Sequence, residues 1–313
     1  MEYMAPLTYR VEPEDDGVSL KVILGSRMKL SRTLLAKLKQ TERGIELNGQ
    51  RVYTSVKVRS GDLVEVRMAV EASDDILPEN LPIEVLYEDD HLLVVNKSAG
   101  MIVHPTHGHY TGTLANAVVY YWLSKHESIR FRPIHRLDQD TSGVLAIAKS
   151  PYVHQHVSEQ MKNRQVDKSY IAFVHGKPEP AAGKVDEPID RSDENPHIRI
   201  VRLDGYPSIT YYETVEVYGS GALMRIRLET GRTHQIRVHM KHIGHPLIGD
   251  PMYGLDDLPP DGGSGMIRRH ALHAESLSFS HPILGERMTF TAPWPEDLSE
   301  LRNQLLREYV ERK

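Results

Sequence analysis

Short strand-forming segments joined by turns dominate the second half of this 313-residue chain and limit the folds open to it. The turns between them carry Gly205, Gly219 and Gly221, and helical periodicity is confined to a few stretches. Runs of strands with occasional helices favour an α+β fold with a large mixed, mostly antiparallel sheet. The strand predictions on which this rests are residues 168–174, 198–203, 208–217 and 223–229.

A block of positive charge, residues 18–70, lies between two acidic segments. The block holds eleven basic and four acidic residues, a balance of +7, although the whole chain carries −5. Residues 1–17 hold five acids and one base, and residues 71–90 hold eight acids and no base. Such asymmetry indicates contact with a polyanion such as nucleic acid, although a solvated basic face on a small structural domain would look the same.

The basic block has the pattern of a helix followed by a small hairpin. Ser31 is placed to cap the helix, Asn48-Gly49 indicates a tight turn, and four leucines recur at helical spacing: Leu30, Leu34, Leu35 and Leu38. Arg32, Lys37 and Lys39 fall largely off this apolar stripe. The pattern resembles the αL-type RNA-binding module of a small-subunit ribosomal protein and several RNA-modifying enzymes, and it predicts a small N-terminal α/β RNA-binding module.

The charge blocks and the strand series together predict four segments. Residues 1–17 form an acidic N-terminal segment, and residues 18–70 form the RNA-binding module. Residues 71–82 combine acids with prolines and are typical of a linker. Residues 83–313 then form the large sheet domain.

Several kinds of chemistry lack their usual sequence signals. The chain has no cysteine, no HExxH pair among its 17 histidines, no glycine-rich phosphate loop and no GxSxG turn. We therefore expect neither a metal nor a cofactor. No apolar run has the length of a membrane span, and the N-terminus is acidic, so we predict a cytoplasmic monomer without membrane contact.

The segment RPIHRLDQDTSG, residues 132–143, is a polar loop that runs into an apolar strand at residues 144–148. Catalytic groups concentrate on such loops, but a surface turn that bonds its own backbone would have the same composition. The residue types alone do not separate Asp138 from Asp140 as a catalytic carboxylate.

A helix is predicted after Gly231, with Thr233 as its cap and Gly244 at its end. Ile236, Met240 and Ile243 would form its apolar face. His234, Arg237 and Lys241 lie on another face, where they could point into a cleft.

Five separate motifs together resemble the RluA-type family of RNA pseudouridine synthases. The motifs follow one another between residues 96 and 282: NKSAGMIVHP, HRLDQDTSG, KSYIAFVHG, GRTHQIRVHMKHIGHPLIGDPMYG and LHAESLSFSHP. The preceding basic module is similar to that of the longer family members. The resemblance implies isomerisation of specific uridines to pseudouridine in structured RNA, ribosomal RNA above all, by base flipping and without a cofactor.

The resemblance also implies which residues act. Asp138 matches the catalytic aspartate, whose carboxylate either attacks the sugar's anomeric carbon or removes the 2′-proton. Tyr170 matches a tyrosine whose ring stacks on the target base, and Arg237 matches an arginine that pairs with the catalytic aspartate. Ser98 departs from the proline that the family often has after the lysine of the NKSAG motif.

Six basic residues are expected to contact RNA. Arg136 matches the position that fills the space left by the flipped base. Lys97 and Arg232, with Arg32, Lys37 and Lys39 of the module, would hold phosphates. The alternative hypothesis is a non-catalytic RNA-binding or ribosome-assembly factor on the same fold.

Overall fold

A nine-stranded sheet organises the larger part of the protein in a computed structural model that describes residues 2–255 and 267–311. Its strand order is β5-β6-β7-β14-β8-β13-β12-β9, with β15 paired to β14. All neighbours are antiparallel except β7 and β14, so the predicted α+β class with a mostly antiparallel mixed sheet is confirmed. The strands are β5 (Glu84–Glu88), β6 (Leu92–Lys97), β7 (Ser142–Ala148), β8 (Asp167–His175), β9 (Ala182–Asp186), β12 (Ile209–Val217), β13 (Gly221–Leu228), β14 (Leu272–Ser280) and β15 (Arg287–Thr291).

Helices cover both faces of this sheet. Alternate residues of its central strands point to opposite faces, and both sets are buried under helices. Tyr170 and Ala172 share a hydrophobic cluster with α3 and α5, whereas Ile171 and Phe173 pack with α6. Among the described residues, no helix is long and apolar enough to cross a lipid bilayer. The helices are α3 (Leu114–Ser124), α4 (Pro151–Lys162), α5 (Gln235–His242) and α6 (Glu296–Glu311).

A smaller four-stranded sheet and α2 form the N-terminal part, in the strand order β1-β4-β2-β3. The Ser31 hydroxyl accepts a hydrogen bond from the Leu34 amide at 3.1 Å, so the predicted cap of α2 is confirmed. The acidic segment expected to precede the module supplies β1 to its sheet. The elements are β1 (Leu7–Arg10), α1 (Leu20–Val22) running into a π-helical turn (Ile23–Arg27), α2 (Arg32–Gln40), β2 (Ile45–Leu47), β3 (Gln50–Arg51) and β4 (Leu63–Val66).

The N-terminal part packs directly on the large sheet. One hydrophobic cluster contains Leu24 and Leu38 together with Val144 and Val153 of β7 and α4. The Gln155 side chain of α4 also bonds the backbone on the N-terminal side, at 2.9 Å to both the Lys29 carbonyl and the Ser31 amide. Contact between the two parts is thus both apolar and hydrogen-bonded.

The segment predicted as a linker is also held by contacts. Ile76 is buried, the Ser73 hydroxyl accepts a hydrogen bond from the Phe131 amide at 2.8 Å, and Glu71 pairs with both Lys37 and Arg132. The boundaries predicted at residues 17, 70 and 82 stay a prediction, but the segment between module and sheet lies against the protein.

Gly143 brings the polar loop close to β14. Its φ is +118°, and a Cβ atom there would lie 2.2 Å from the Ala274 carbonyl oxygen. Only glycine permits both that backbone conformation and the parallel pairing of Gly143 with Ala274. The loop that precedes β7 is therefore fixed at its end.

Candidate active site

The part of the polar loop that precedes β7, residues 132–141, folds back along this strand and turns at Asp138. The Ile134 amide donates to the Ala146 carbonyl at 2.9 Å, and the Thr141 amide donates to the Asp138 carbonyl at 3.1 Å. The Asp138 side chain is 20% exposed. Asp138 therefore starts a tight turn supported by a buried strand, with its carboxylate at a partly open surface.

Lys97 supports this turn from within the protein. Its side chain is 1% exposed, and its ammonium donates to the carbonyls of Ser98 (2.9 Å), Met101 (2.7 Å) and Gln139 (2.8 Å). Burial lowers the pKa of Lys97 to about 7. The structure does not support the phosphate contact expected for Lys97, because all its protons are directed at backbone carbonyls; the residue instead ties the NKSAG loop to the Asp138 turn.

Arg269 and His270 hold the same turn from the side of α6. The Arg269 guanidinium donates to the Asp140 carbonyl at 3.0 Å and to the Asp297 carboxylate at 2.6 Å. His270 Nε2 lies 2.8 Å from the Thr141 hydroxyl. Sequence reasoning missed both residues, although they lie only two and three residues before the motif that begins at Leu272.

We expect His270 to make folding sensitive to acid. Burial, and then the positive charge of Arg237, lower the pKa of His270 from 6.5 to about 3. Below pH 6.5 the unfolded chain therefore binds a proton that the folded chain excludes, so this contribution to stability is present at neutral pH and lost on acidification. The loss amounts to about 2 kcal/mol between pH 7 and pH 5.

Urea unfolding of the wild type and of His270→Gln at pH 7 and pH 5 measures this contribution. Glutamine can bond Thr141 without titrating, so the variant should lose less stability between the two pH values than the wild type. An equal loss in the two proteins would contradict the assignment to His270.

Arg237 on α5 lies between two carboxylates. Its Nε and Nη2 donate to the two oxygens of Asp250 at 2.7 Å each, and its Nη1 lies 3.8 Å from Asp138 Oδ2. The side chains of Arg237 and Asp250 are 6% and 0% exposed. Burial by itself would raise the pKa of the Asp250 carboxyl, but the hydrogen bonds and charge of Arg237 hold that pKa below its usual value.

Asp250 is thus the main partner of Arg237. The expected pairing of Arg237 with Asp138 is present as a longer contact. Asp250 was missed as a functional residue even though it lies in the quoted motif GDPMYG. Its role could not be read from the sequence, because a 13-residue separation carries no helical or strand periodicity. Asp250 fixes the direction of the guanidinium, which leaves Nη1 for Asp138.

Tyr170 on β8 is buried beside Asp138. Burial and then the negative charge of Asp138 raise the pKa of the Tyr170 phenol above its usual value. The phenol therefore stays protonated at neutral pH, and it can donate a hydrogen bond or present its ring to a planar group.

A network around Tyr253 closes the far side of Arg237. The Tyr253 hydroxyl accepts from the Arg199 amide at 2.8 Å and lies 2.9 Å from His234 Nδ1. His234 has a left-handed φ of +57° and no capping bond, so the cap predicted at Thr233 is wrong. The reason is Gln235, whose side-chain oxygen accepts from the Arg232 amide and the Thr230 hydroxyl and so organises the turn.

The loop of Asp138, β8 and the start of α5 enclose one cleft of about 570 Å³, a volume in the range of small-ligand sites. Asp138, Tyr170 and Arg237 all border it, with Arg136 and Arg232. Lys168, missed as a site residue although it opens the motif KSYIAFVHG, also borders the cleft, and burial lowers the pKa of its ammonium. The cleft therefore combines two carboxylates, Asp138 and Glu229, with a phenol and several cations.

Arg32, Lys37 and Lys39 are exposed on α2 and do not line this cleft. Lys37 pairs with Glu71, which partly neutralises it. Within the two described ranges, no cluster of three or more histidine, aspartate or glutamate side chains could hold a metal ion.

Comparisons with known proteins agree on one family. A family model described as RNA pseudouridylate synthase matches residues 91–242. The chain is 40% identical to the ribosomal large subunit pseudouridine synthase D of Xanthomonas campestris pv. campestris over 266 residues, which covers 83% of this chain and 80% of that protein. It is 41% identical to the RNA pseudouridine synthase YlyB of Bacillus subtilis, itself described as uncharacterized, over 83% of this chain and 85% of that one.

A solved structure has the same fold. The human RNA pseudouridylate synthase domain containing 4 superimposes with a TM-score of 0.59 at 25% identity, over 72% of this chain and 93% of that one.

Proposed function

Because the chain belongs to the RluA-type family of RNA pseudouridine synthases, we propose that it modifies uridines of large-subunit ribosomal RNA with Asp138 as the catalytic carboxylate. The enzyme isomerises uridine to pseudouridine in RNA. The observation that carries the assignment of Asp138 is its position in the cleft, 3.8 Å from an Arg237 nitrogen and in the same cavity as Tyr170. The alternative of a non-catalytic RNA-binding factor is disfavoured, because relatives that match over most of the chain are named as synthases.

The reaction breaks the bond from the sugar C1′ to N1 of uracil and forms a bond from C1′ to C5. The hydrogen on C5 goes to solvent and N1 gains a proton, so atoms balance without a cofactor. Asp138 can begin either by attacking C1′ or by removing the 2′-proton. Both routes use the Asp138 carboxylate itself, whose Oδ2 lies 3.8 Å from Arg237 Nη1.

The other cleft residues position the base. The protonated Tyr170 phenol is a hydrogen-bond donor, and its ring can stack on uracil. Arg136 is exposed beside Asp138 at the edge of the cleft, where it can fill the space vacated by the flipped uridine. Arg232 borders the same cleft as a phosphate contact.

Tritium release tests the proposed function. RNA transcripts carrying tritium on C5 of uridine are incubated with the protein, using large-subunit ribosomal RNA, small-subunit ribosomal RNA and transfer RNA in parallel. We expect release from the large-subunit transcript. Release from another transcript alone would overturn the proposed substrate, and release from none would overturn the activity. We propose that the enzyme works as a monomer in the cytoplasm, the compartment in which its proposed substrate, ribosomal RNA, is made and assembled into ribosomes.

The α2 face should contribute to RNA affinity through phosphate contacts. Arg32 and Lys39 are exposed and lie on the same short helix. Replacing both by glutamine should weaken RNA binding and reduce the slope of log affinity against log salt by about 1.5, since each lost contact removes about 0.7–0.9.

Binding titrations at several salt concentrations measure this slope. The matched control is Lys177→Gln with Arg307→Gln, which removes the same charge at exposed positions outside the cleft lining. If the control variant lowers the salt slope as much as the α2 variant does, the effect comes from net charge and α2 makes no specific phosphate contact.

A further inference from the structure

A small hairpin between β9 and β12 lies beside the cleft. It consists of β10 (Ile189–Arg191) and β11 (Arg199–Val201), which pair in antiparallel register. The Arg199 amide donates to the Tyr253 hydroxyl at 2.8 Å, which ties the hairpin to the Arg237 network. No step of the proposed reaction uses this hairpin.

The turn after β11 has a fixed shape. The Gly205 amide donates to the Arg202 carbonyl at 3.0 Å, and Tyr206 exchanges backbone hydrogen bonds with Ile189 at 2.9 and 3.0 Å. The Arg202 guanidinium also bonds the Asp204 carboxylate at 2.6 Å. The turn is therefore held at both ends and along its length.

Two large apolar side chains are nevertheless exposed on this turn. Leu203 is 95% exposed and Tyr206 is 60% exposed. A single exposed apolar residue is common on protein surfaces, but a rigid turn that presents a tyrosine next to a cleft calls for a function.

Tyr206 is joined to the cleft through Arg232. The Arg232 guanidinium carbon lies 5.3 Å from the centre of the Tyr206 ring, and its Nε donates to the Pro207 carbonyl at 3.3 Å. Such a contact orients both groups. Among the described residues Arg232 forms no salt bridge, so its charge can serve a phosphate.

An exposed aromatic ring held by an arginine suits an unpaired nucleotide. The ring offers a surface for the base, and the guanidinium offers a charge for the phosphate. Flipping of the target uridine unstacks its neighbours, which then need new contacts. We propose that Tyr206 and Arg232 form a platform on which a base adjacent to the target uridine stacks. This inference rests on the proposed function and adds a second nucleotide contact to it.

Two single-stranded probes separate stacking from phosphate binding: a 12-nucleotide adenosine oligomer and an abasic ribose-phosphate oligomer of the same length. Tyr206→Ala should weaken binding of the adenosine oligomer by about tenfold and binding of the abasic oligomer by much less, since only the orientation of Arg232 is lost there. Tyr206→Phe keeps the ring and should restore most of the affinity. With tritiated ribosomal RNA, Tyr206→Ala should raise KM by a similar factor.

The matched control is Tyr120→Ala, which removes an exposed tyrosine of α3 that does not line the cleft and should change neither measurement. Equal weakening of both oligomers by Tyr206→Ala, or failure of Tyr206→Phe to restore binding, would overturn the platform. The platform would also be overturned if Tyr206→Ala left RNA binding unchanged but altered the sedimentation coefficient of the protein. That result would identify the turn as a protein–protein interface.

The oligomer titrations do not depend on turnover. If the wild type releases no tritium from any RNA, the proposed function fails whatever the oligomers show. If the wild type releases tritium and Tyr206→Ala binds the adenosine oligomer normally, only the platform fails.

Discussion

Replacing Asp138 by asparagine is expected to lower tritium release from ribosomal RNA by about four orders of magnitude or more, the scale seen when a catalytic nucleophile is removed. The amide has almost the same shape as the carboxylate, so the turn at Asp138 and the fit of RNA should persist. It has no negative charge, and it can neither attack C1′ nor remove the 2′-proton. Single-turnover release with excess enzyme measures the chemical step directly, and filter binding verifies that RNA affinity is retained.

Asp140→Asn is the matched control, because Asp140 lies two residues away in the same turn. The contact that fixes Asp140 is made by its backbone carbonyl, which accepts from Arg269 and is unchanged by the substitution. This variant should keep most of the wild-type rate. Equal rates for Asp138→Asn and the wild type, or a larger loss in Asp140→Asn, would refute the assignment of Asp138.

The second large effect is expected from breaking the Arg237–Asp250 pair. Asp250→Ala leaves the Arg237 guanidinium buried without its two hydrogen-bond acceptors, and such a change costs about 3–5 kcal/mol in free energy of unfolding. Protein that remains folded should also lose kcat, because Arg237 would no longer be held toward Asp138. Urea unfolding and single-turnover tritium release measure the two losses.

The chain offers a matched control in Arg302 and Glu216, which also pair through two nitrogens, at 2.6 and 3.1 Å, but near the surface. Glu216→Ala should cost about 1–2 kcal/mol, less than Asp250→Ala, since the exposed ion pair contributes little and the main loss is the acceptor of the Tyr218 hydroxyl. The double variant Arg237→Met with Asp250→Leu should recover much of the stability lost in Asp250→Ala, but not the activity. If Asp250→Ala were no more destabilising than Glu216→Ala, the buried pair would not anchor the site.

The sequence could predict which residues share the cleft, but not how they are held. Asp138, Tyr170 and Arg237 lie on a loop, a strand and a helix, and only the resemblance of their motifs to a known family grouped them. The partners of those residues come from packing between elements. Asp250, Arg269 and His270 act through contacts that no local periodicity marks.

Lys97 shows how burial can reverse an expectation. A lysine at a strand end, next to a polar loop, is normally a solvated cation. Here the carbonyls of two loops converge on it, and only the assembled structure brings Ser98, Met101 and Gln139 to one point.

Composition has the same limit for residues 71–82, where acids and prolines indicated a linker. Glu71, Ser73 and Ile76 find partners that are distant in sequence.

The hydrophobic cluster shared by α2, α4 and β7 has a consequence for how a target is chosen. Since Leu38 and Val153 belong to one packed cluster, we expect the separation between the basic face of α2 and the Asp138 carboxylate to vary little. A flexible tether would let the enzyme sample uridines at many distances from the RNA feature that α2 is proposed to bind. With a fixed separation, only uridines at one distance from that RNA feature can enter the cleft. Moving the target uridine by a few nucleotides should therefore abolish its modification even when its immediate sequence is unchanged.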